Sequence, residues 1–319
     1  MKRVVLTGGT GFVGANLAHR LVADGHQTHL LVRPGFARWR IEPILDRVSL
    51  HEADLSDADR VKAAIGTIEP AWIFHLAAHG AYSWQTDADE ITRTNIAGTR
   101  NLLAAALDAG VEMFVNTGSS SEYGRQDHAP SETEEAKPDT PYGIAKAAAT
   151  AMGVYAATVH GARVCTLRLY SVYGPYEDPR RFLPSLIVHG LRGVFPPLVG
   201  AATARDFVFV DDVIDAYLRA AQHRPAEPGA IYNVGTGVQT TIGEAVEVAR
   251  RILRVPGEPK WGSMPARAWD TDTWVADTRK IRGELGWAPR VTFADGFERT
   301  VAWLNHHPEL RDRYEAAWP

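Results

Sequence analysis

Short apolar runs alternate with amphipathic segments over the first 170 residues of the chain. Apolar runs bounded by turn residues are typical of buried strands, and apolar positions three and four apart are typical of helices. The predicted strands are 4–7, 27–32, 47–51, 71–76, 113–117 and 163–169. The predicted helices are 12–23, 57–65, 86–109 and 141–159. This alternation predicts an α/β fold, with a doubly wound parallel sheet covered by helices on both faces.

The pattern changes after residue 170. Residues 171–205 are rich in Pro, Gly and Arg, a strand and a helix return at 207–221, and another strand follows at 231–234. Residues 239–319 are mostly helical, with loops that contain several tryptophans. We therefore predict a large domain that contains the sheet and a smaller, mostly helical C-terminal lobe. The predicted ranges are 1–170 with 206–238, and 171–205 with 239–319.

Composition excludes several classes of protein. The 319 residues are 45% hydrophobic and 23% charged, with a net charge of −4, which excludes a disordered chain and gives no general attraction to nucleic acid or membrane. Cys165 is the only cysteine, so neither an intrachain disulfide nor a cysteine-based zinc site is expected. The twelve histidines are scattered, and we predict no metal site. The first apolar run is too short for a signal peptide or a membrane span, which favours a cytoplasmic protein.

A glycine-rich loop, Gly8-Gly9-Thr10-Gly11-Phe12-Val13-Gly14, lies between the first predicted strand and the first predicted helix. Its glycines allow a tight turn and let a pyrophosphate approach the helix N-terminus, where free N–H groups favour an anion. The plain alternative is a glycine-rich turn without a ligand. The strand–loop–helix context favours a Rossmann-type dinucleotide site. The predicted cofactor contacts here are Gly8, Thr10, Gly11, Phe12, Val13 and Gly14.

The end of the second strand bears on the choice of cofactor. NAD-binding proteins usually place Asp or Glu there to accept a hydrogen bond from the ribose 2′-OH. This chain has Arg33, followed by Arg38 and Arg40, and arginine suits a 2′-phosphate. A solvated surface arginine is the alternative. We therefore favour NADP(H), with NAD possible. Asp54 and Leu55, after the third strand, are predicted to contact the adenine, although Asp54 could equally cap a helix.

Tyr142 and Lys146 are four residues apart on one predicted helix, which puts both on the same face. A nearby ammonium group stabilises a phenolate and lowers the pKa of the tyrosine, as a general acid/base requires. Such pairs are common by chance. Their position after a glycine loop and after Ser119, at the end of an apolar strand, makes an accidental combination much rarer.

Together these motifs resemble the extended short-chain dehydrogenase/reductases, in particular the nucleotide-sugar epimerase/dehydratase family. The resemblance covers nearly the whole chain. Further segments that carry it are His75-Leu76-Ala77-Ala78, Asn95 with Gly98-Thr99, Ser119 to Gly124, Leu167 to Pro175, Arg205 to Val213, and Asn233-Val234-Gly235.

The resemblance implies catalytic roles for three residues. Tyr142 would be the general acid/base on a sugar hydroxyl or carbonyl. Lys146 would tune Tyr142 and hold the nicotinamide ribose, and Ser119 would hydrogen-bond the reacting oxygen. A structural role is as plausible as a cofactor contact for Asn95. The further cofactor contacts that we expect are Leu76, Ala77, Ala78 and Asn95.

The resemblance also implies a nucleotide-diphosphate sugar as substrate. Arg205 resembles the arginine that clamps the diphosphate, and an ion pair with Asp206 or Asp211 is the alternative. Tyr82 and Trp84 would lie over the sugar, or would only pack their loop onto the lobe. The expected substrate contacts are His79, Tyr82, Trp84, Ser120, Ser171, Arg181 and Arg205.

Two departures from the family pattern narrow the reaction. The 4,6-dehydratases follow their Ser/Thr with Asp-Glu, whereas this chain has Ser120 and Ser121, and Glu122 comes one residue late. Several 4-epimerases have Asn at the position of Ser171. With the apparent NADP site, our leading hypothesis is an NADPH-dependent NDP-4-keto-6-deoxyhexose 4-reductase. The alternative is an NAD-dependent nucleotide-sugar 4-epimerase. A non-catalytic NADP-binding sensor is disfavoured because the serine, tyrosine and lysine are all present.

The resemblance finally implies a homodimer, in which the helices equivalent to 86–109 and 141–159 pair in a four-helix bundle. Small residues on the second of these helices, such as Ala145, Ala149 and Gly153, would allow close approach between subunits. The alternative is that these small residues only pack on the sheet of their own chain.

Overall fold

The strands predicted in the first 170 residues lie side by side. The structure, a computed structural model, describes residues 1–223, 226–265 and 271–318. Within this part of the chain the strands are β1 (Arg3–Thr7), β2 (Gln27–Val32), β3 (Val48–Glu52), β4 (Trp72–His75), β5 (Met113–Ser119), β6 (Val164–Leu169), β7 (Ser171–Tyr173), β8 (Ala204–Arg205), β9 (Phe207–Phe209), β10 (Ile231–Val234) and β11 (Thr240–Thr241).

Seven of these strands form one sheet in the order β10-β6-β5-β4-β1-β2-β3, and every neighbouring pair is parallel. The chain winds outward from β1 in one direction through β2 and β3, and in the other through β4, β5 and β6. Ligands of such sheets bind in the crevice at the carboxyl ends of the strands where the direction reverses. The predicted Rossmann-type doubly wound sheet is therefore confirmed, and its crevice lies between β1 and β4.

The helices pack around this sheet and beyond its carboxyl edge. In chain order they are α1 (Phe12–Ala23), α2 (Ala58–Ile68), α3 (Ala88–Thr92), α4 (Gly98–Asp108), α5 (Pro141–His160), α6 (Phe182–Leu191), α7 (Val210–Gln222), α8 (Ile242–Leu253), α9 (Arg279–Leu285), α10 (Phe293–His306) and α11 (Pro308–Ala316). In the ranges that the structure describes, none of them is long and apolar enough to cross a membrane.

The long helix predicted at 86–109 has an interruption. A π-helical turn, Arg93–Ala97, separates α3 from α4, and π turns of this kind are frequent at functional sites. The segment 171–205, for which the sequence predicted no element, contains β7, α6 and β8.

Alternate residues of the strands point to opposite faces of the sheet. Leu6 and Phe74 belong to the apolar cluster beneath α1 and α7, whereas Val5 and Ile73 belong to the cluster beneath α2, α4 and α5. Both faces of this parallel sheet are covered by helices. Its strands therefore need near-continuous apolar runs.

A third apolar cluster lies among α6, α8, α10 and α11, and it includes Leu186 and Phe297. Strand β9 contributes to two clusters. Phe207 and Phe209 pack into this third cluster, while Val208 between them packs against the sheet. The division into two domains stays a prediction, and β9 is in contact with both of these apolar clusters.

The small residues of α5 face the sheet of their own chain. Ala145 and Ala149 are 1% exposed, and a Cβ added to Gly153 would lie 3.1 Å from Cγ1 of Val164. These three residues therefore pack on the sheet, as the alternative interpretation held, and the homodimer stays a prediction.

Candidate active site

The glycine loop makes a tight turn between β1 and α1. Gly8 has a φ of +71°, and a Cβ there would lie 2.6 Å from the backbone nitrogen of Ala77. A Cβ on Gly14 would lie 2.1 Å from the carbonyl oxygen of Gly8. Neither position therefore accepts a larger side chain, and the first turn of α1 packs directly against the end of β1.

The N-terminus of α1 is open to a ligand. No side chain caps it, and its first turn has no acidic residue. Gly11, Phe12, Val13 and Gly14 line the adjoining cavity. Uncapped N–H groups at a helix N-terminus bind anions through hydrogen bonds and the helix dipole. This part of the chain fits the pyrophosphate of a dinucleotide.

One cavity of about 690 Å³ extends from the glycine loop across the carboxyl ends of the strands to α6. This volume is within the range of ligand pockets, roughly 300–1,000 Å³. Most of the predicted cofactor, catalytic and substrate residues share its wall. They are Gly8, Gly11, Phe12, Val13, Gly14, Leu76, Ala78, Tyr82, Trp84, Ser119, Ser120, Tyr142, Lys146, Ser171, Arg181 and Arg205. The predicted residues outside the wall are Thr10, Arg33, Asp54, Leu55, Ala77, His79 and Asn95.

Tyr142 and Lys146 lie one turn apart on α5, whose N-terminus is capped by Thr140. Burial raises the pKa of the Tyr142 phenol to about 12, and the neighbouring Ser119 hydroxyl opposes that rise. Burial also lowers the pKa of the Lys146 ammonium to about 8. Among the residues that the structure describes, none accepts a hydrogen bond from this ammonium. A buried amine with an open hydrogen-bonding position fits a ribose hydroxyl of a bound cofactor.

Ser119 is held by the turn that follows β5. Its hydroxyl accepts a hydrogen bond from the Ser121 N–H at 3.1 Å, and Glu122 accepts one from the Ser119 N–H at 2.8 Å. The other oxygen of Glu122 accepts a hydrogen bond from Nε of Arg168, also at 2.8 Å. Glu122 is fully buried and is not part of the cavity wall. It is therefore a positioning residue for Ser119, and the hydroxyls of Ser120 and Ser121 line the cavity instead.

Arg33 lies beyond the cavity wall and is 61% exposed. Its guanidinium donates to the Glu90 carboxylate at 3.1 Å, and Arg93 pairs with the same carboxylate. Arg40 is in contrast buried, and its Nε donates to the Tyr176 carbonyl at 2.8 Å. Arg40 therefore stabilises the main chain at Tyr176 and is not available for a 2′-phosphate.

Asp54 and Leu55 have local structural contacts. The Asp54 carboxylate accepts hydrogen bonds from both the N–H and the hydroxyl of Ser56, each at 2.8 Å. The Leu55 side chain is buried in the cluster beneath α2 and α4. Their predicted contact with adenine stays a prediction.

Asn95, on the π-helical turn, binds the main chain of His79. Its Oδ1 accepts from the His79 N–H and its Nδ2 donates to the His79 carbonyl, both at 2.8 Å. Asn95 is 2% exposed. These contacts match the structural role that was the alternative for Asn95. They fix the start of the loop that follows β4.

The aromatic residues of that loop, Tyr82 and Trp84, have contacts that agree with both of their predicted roles. The rings of Tyr82 and Trp84 are stacked, with centroids 4.8 Å apart and 4° between their planes. Both line the cavity, and both also face an arginine of the segment that precedes α6. The Arg180 guanidinium lies 3.9 Å from the centre of the Trp84 ring, and that of Arg181 lies 5.7 Å from the Tyr82 ring.

Arg205 lies at the far end of the cavity, where its guanidinium is 5.6 Å from the centre of the Trp274 ring. The neighbouring carboxylate of Asp206 is fully buried and accepts hydrogen bonds from the N–H groups of Thr236, Gly237 and Ala276. Asp206 thus connects β9 with the segments at Thr236–Gly237 and at Ala276, and its oxygens are already occupied.

Sequence reasoning missed part of the cavity wall. Tyr170, Glu177 and Trp274 line it, but none was singled out for a role. Tyr170 was detectable beside Ser171 in the motif that ends β6. Glu177 begins a charged run that resembles a solvated surface, so no local signal distinguished it.

Comparison with known proteins decides the family. The model of the NAD dependent epimerase/dehydratase family matches residues 4–235, more than two thirds of the chain. The chain belongs to this family. The predictions of an extended short-chain dehydrogenase/reductase and of an NAD(P)-dependent enzyme of nucleotide-sugar metabolism are confirmed.

Relatives within the epimerase/dehydratase family have different reactions. The UDP-glucose 4-epimerase of Mycolicibacterium smegmatis is 33% identical over 316 residues, which cover 95% of this chain and 99% of the relative. The dTDP-glucose 4,6-dehydratase of Streptomyces griseus is 29% identical over 321 residues, or 95% and 94% of the two chains. A solved structure of the UDP-glucose 4-epimerase of Thermus thermophilus in complex with NAD has a TM-score of 0.83 and 28% identity, covering 94% and 98%.

Proposed function

We propose that this family member is an NAD-dependent 4-epimerase of a nucleotide-linked hexose. The observation that carries the proposal is the position of Glu122. A dehydratase needs an acid and a base beside its tyrosine, and here the acidic residue next to Ser119 is paired with Arg168 inside the protein. The cavity retains the serine, tyrosine and lysine that proton transfer at one sugar hydroxyl requires.

The side chains at the cavity can each supply one part of an epimerisation. NAD, when bound, accepts a hydride from the sugar carbon and returns it. Tyr142 removes the proton of the sugar hydroxyl and later returns it to the oxygen, which Ser119 positions by a hydrogen bond. Burial raises the pKa of the Tyr142 phenol to about 12 and the charge of Glu122 adds to that rise, while Ser119 and Arg181 lower it. The Lys146 ammonium, one turn away, adds a positive charge that favours the phenolate.

The contacts of Arg33 support NAD over NADP. The sequence favoured NADP because an arginine follows β2. In the structure the carboxylate of Glu90 is shared by Arg33 and Arg93, so a 2′-phosphate would have to compete with that carboxylate for Arg33. The similar Thermus thermophilus epimerase was solved with NAD. Because an epimerase returns its hydride, a retained NAD is sufficient for turnover.

An NADPH-dependent 4-ketoreductase is the second candidate. Arg33 still stands where an acidic residue would favour NAD, and Ser171 lines the cavity at the position of the asparagine found in several 4-epimerases. Both reactions use the same serine, tyrosine and lysine, so those residues do not distinguish them.

Two assays separate the candidates. Purified protein is first incubated with UDP-glucose, UDP-galactose, UDP-glucuronate and the dTDP-hexoses without added reductant, and the products are examined by NMR. We expect epimers at C4 and no net change in absorbance at 340 nm. The second assay offers NADPH with CDP-, GDP- and dTDP-4-keto-6-deoxyhexoses. Stoichiometric loss of NADPH there, with no epimers in the first assay, would overturn the epimerase and establish the reductase.

A homodimer is also part of the proposal, through a different face of α5 from the one that packs on the sheet. Ile144, Tyr155 and Val159 are 54%, 57% and 60% exposed, and their spacing puts them on one side of the helix. Light scattering is expected to give twice the mass of the chain at micromolar concentration. Replacing Ile144 and Tyr155 by Glu is expected to give monomers, and a monomeric wild type would contradict the proposal.

A further inference from the structure

A carboxyl group lies in the wall of the cavity that contains the proposed reaction site. Glu177 lines the same cavity as Tyr142, and only 7% of its side chain is exposed. Its partner is Arg181, whose Nε is 3.5 Å from Oε1 of the carboxylate. A carboxylate has about four positions for accepting hydrogen bonds. Glu177 therefore retains acceptor capacity that a ligand in the cavity can use.

The backbone before Glu177 adopts an unusual conformation that several contacts stabilise. Tyr176 has a φ of +69°, a left-handed conformation that is unfavourable for a non-glycine residue. Its carbonyl accepts a hydrogen bond from Arg40 at 2.8 Å, and its ring is stacked on His19 with centroids 5.3 Å apart. The Tyr314 hydroxyl donates to the Glu177 carbonyl at 2.6 Å. These contacts fix the turn that directs Glu177 into the wall.

Arg181 connects Glu177 with the reaction site. Its positive charge lowers the pKa of the Tyr142 phenol, and it faces the Tyr82 ring. Burial raises the pKa of the Glu177 carboxyl to about 7, and Arg181 opposes that rise. Without Glu177, the guanidinium would be a cation in the cavity wall, ready to pair with a carboxylate on a ligand.

We propose that Glu177 makes the cavity selective for an uncharged hexose over a hexuronic acid. Because Glu177 pairs with Arg181, that guanidinium is not available to the carboxylate of a nucleotide-linked uronic acid. The negative charge of Glu177 also repels that carboxylate. The hydroxymethyl group of a neutral hexose has no such repulsion and can donate to Glu177. This inference rests on the proposed function, because it assumes a nucleotide-linked sugar in the cavity.

The test compares two ligands that differ only at C6. UDP, dTDP, CDP and GDP are first titrated into the NAD-loaded protein to find the nucleotide that binds. The two ligands are then the glucose and the glucuronate conjugates of that nucleotide. Calorimetry then gives the ratio of the two affinities. We expect the wild type to prefer the hexose. Glu177→Gln is expected to shift the ratio toward the uronate by about tenfold or more.

The controls separate charge at Glu177 from general effects. Asp178→Asn removes the neighbouring carboxylate, which is not part of the cavity wall, and should change the ratio by less than about twofold. Glu177→Gln with Arg181→Gln should lose the gain for the uronate. If Glu177→Gln does not fold, Arg181→Gln alone should weaken the uronate more than the hexose.

Three results would overturn the inference. One is an unchanged ratio in a folded Glu177→Gln variant. Another is an equal gain for both ligands, which would indicate that Arg181 binds the diphosphate. The third is an Arg181→Gln variant that favours the uronate. If none of the four nucleotides binds to the wild type, the proposed function itself fails, which is a different result from an unchanged ratio.

Discussion

The carboxylate of Glu122 is paired with the guanidinium of Arg168 at 2.8 Å, with 0% and 5% of the two side chains exposed. Arg168 also lies 4.5 Å from the centre of the Tyr123 ring, while the second oxygen of Glu122 holds the N–H of Ser119. The position of Ser119 at the cavity therefore depends on an ion pair between β6 and the turn after β5.

Glu122→Gln is expected to destabilise the protein strongly. The substitution leaves the Arg168 charge buried without a counter-ion, which costs about 3–5 kcal/mol in other proteins. The free energy of unfolding in urea measures the effect. The double variant Glu122→Gln with Arg168→Met should recover much of the loss, because it leaves no buried charge. A loss below about 1 kcal/mol in the single variant would contradict the assignment.

Tyr142→Phe is expected to lower kcat by a factor on the order of 10²–10⁴ while the fold and NAD binding are retained. The phenyl ring still fills its place beside Lys146, but no transferable proton remains. Steady-state kinetics, with circular dichroism and an NAD titration as checks, measure this. Tyr155→Phe removes the same atom from a position of the same helix that is outside the cavity wall and should leave kcat unchanged. Near-normal turnover of Tyr142→Phe would place the acid/base elsewhere.

Glu90→Gln and Arg33→Asp are expected to move cofactor preference in opposite directions. The first releases Arg33 from its carboxylate partner, so NADP binding should improve relative to NAD by several-fold. The second replaces the cation that would compete for a 2′-phosphate by an anion. Because a charge-assisted contact is worth about 1.5–3 kcal/mol, NADP binding should weaken relative to NAD. Fluorescence titrations with NADH and NADPH give the ratio. If the wild type and both variants have the same ratio of NADPH to NADH affinity, Arg33 does not contact the ribose.

The stability of the protein should depend on the ionisation of Glu177. Burial raises the pKa of this carboxyl from 4.5 to about 7 in the folded state. The stabilising contribution of the protonated Glu177 carboxyl to the free energy of unfolding is therefore fully present below about pH 4.5. This contribution is lost as the pH rises through about 7. Relative to Glu177→Gln, the wild type should lose up to about 3 kcal/mol of unfolding free energy over this range. Parallel pH dependences of the two proteins would rule out such a shift.

Gly14→Ala is expected to weaken NAD binding by about tenfold or more. The added Cβ would lie 2.1 Å from the Gly8 carbonyl oxygen, so the loop that receives the pyrophosphate must move. Gly66→Ala is the matched control, because a Cβ there has no neighbour within 4 Å. It should stabilise α2 by about 0.5–1 kcal/mol and leave NAD binding unchanged. Equal NAD affinity for the two variants would contradict the role of the loop.

Features that depend on neighbours along the chain could be predicted from the sequence. The glycine loop lies between a strand and a helix in both prediction and structure, because glycine spacing and apolar periodicity are local properties. Tyr142 and Lys146 share one helix face for the same reason. The parallel sheet with helices on both faces was also predicted, because strands that alternate with helices favour that arrangement.

Features that depend on contacts between distant segments appear only in the tertiary structure. Helix α6 escaped prediction because it is apolar on nearly all sides, as expected for a helix buried between other elements. The pairing of Arg33 with Glu90, on which our proposal of NAD rests, joins residues that are 57 positions apart. Glu177 looks like part of a solvated charged run, yet the left-handed turn at Tyr176 directs it into the cavity wall. Sequence patterns record what each residue is and what its neighbours are, whereas charge pairing and burial depend on which segments folding brings together.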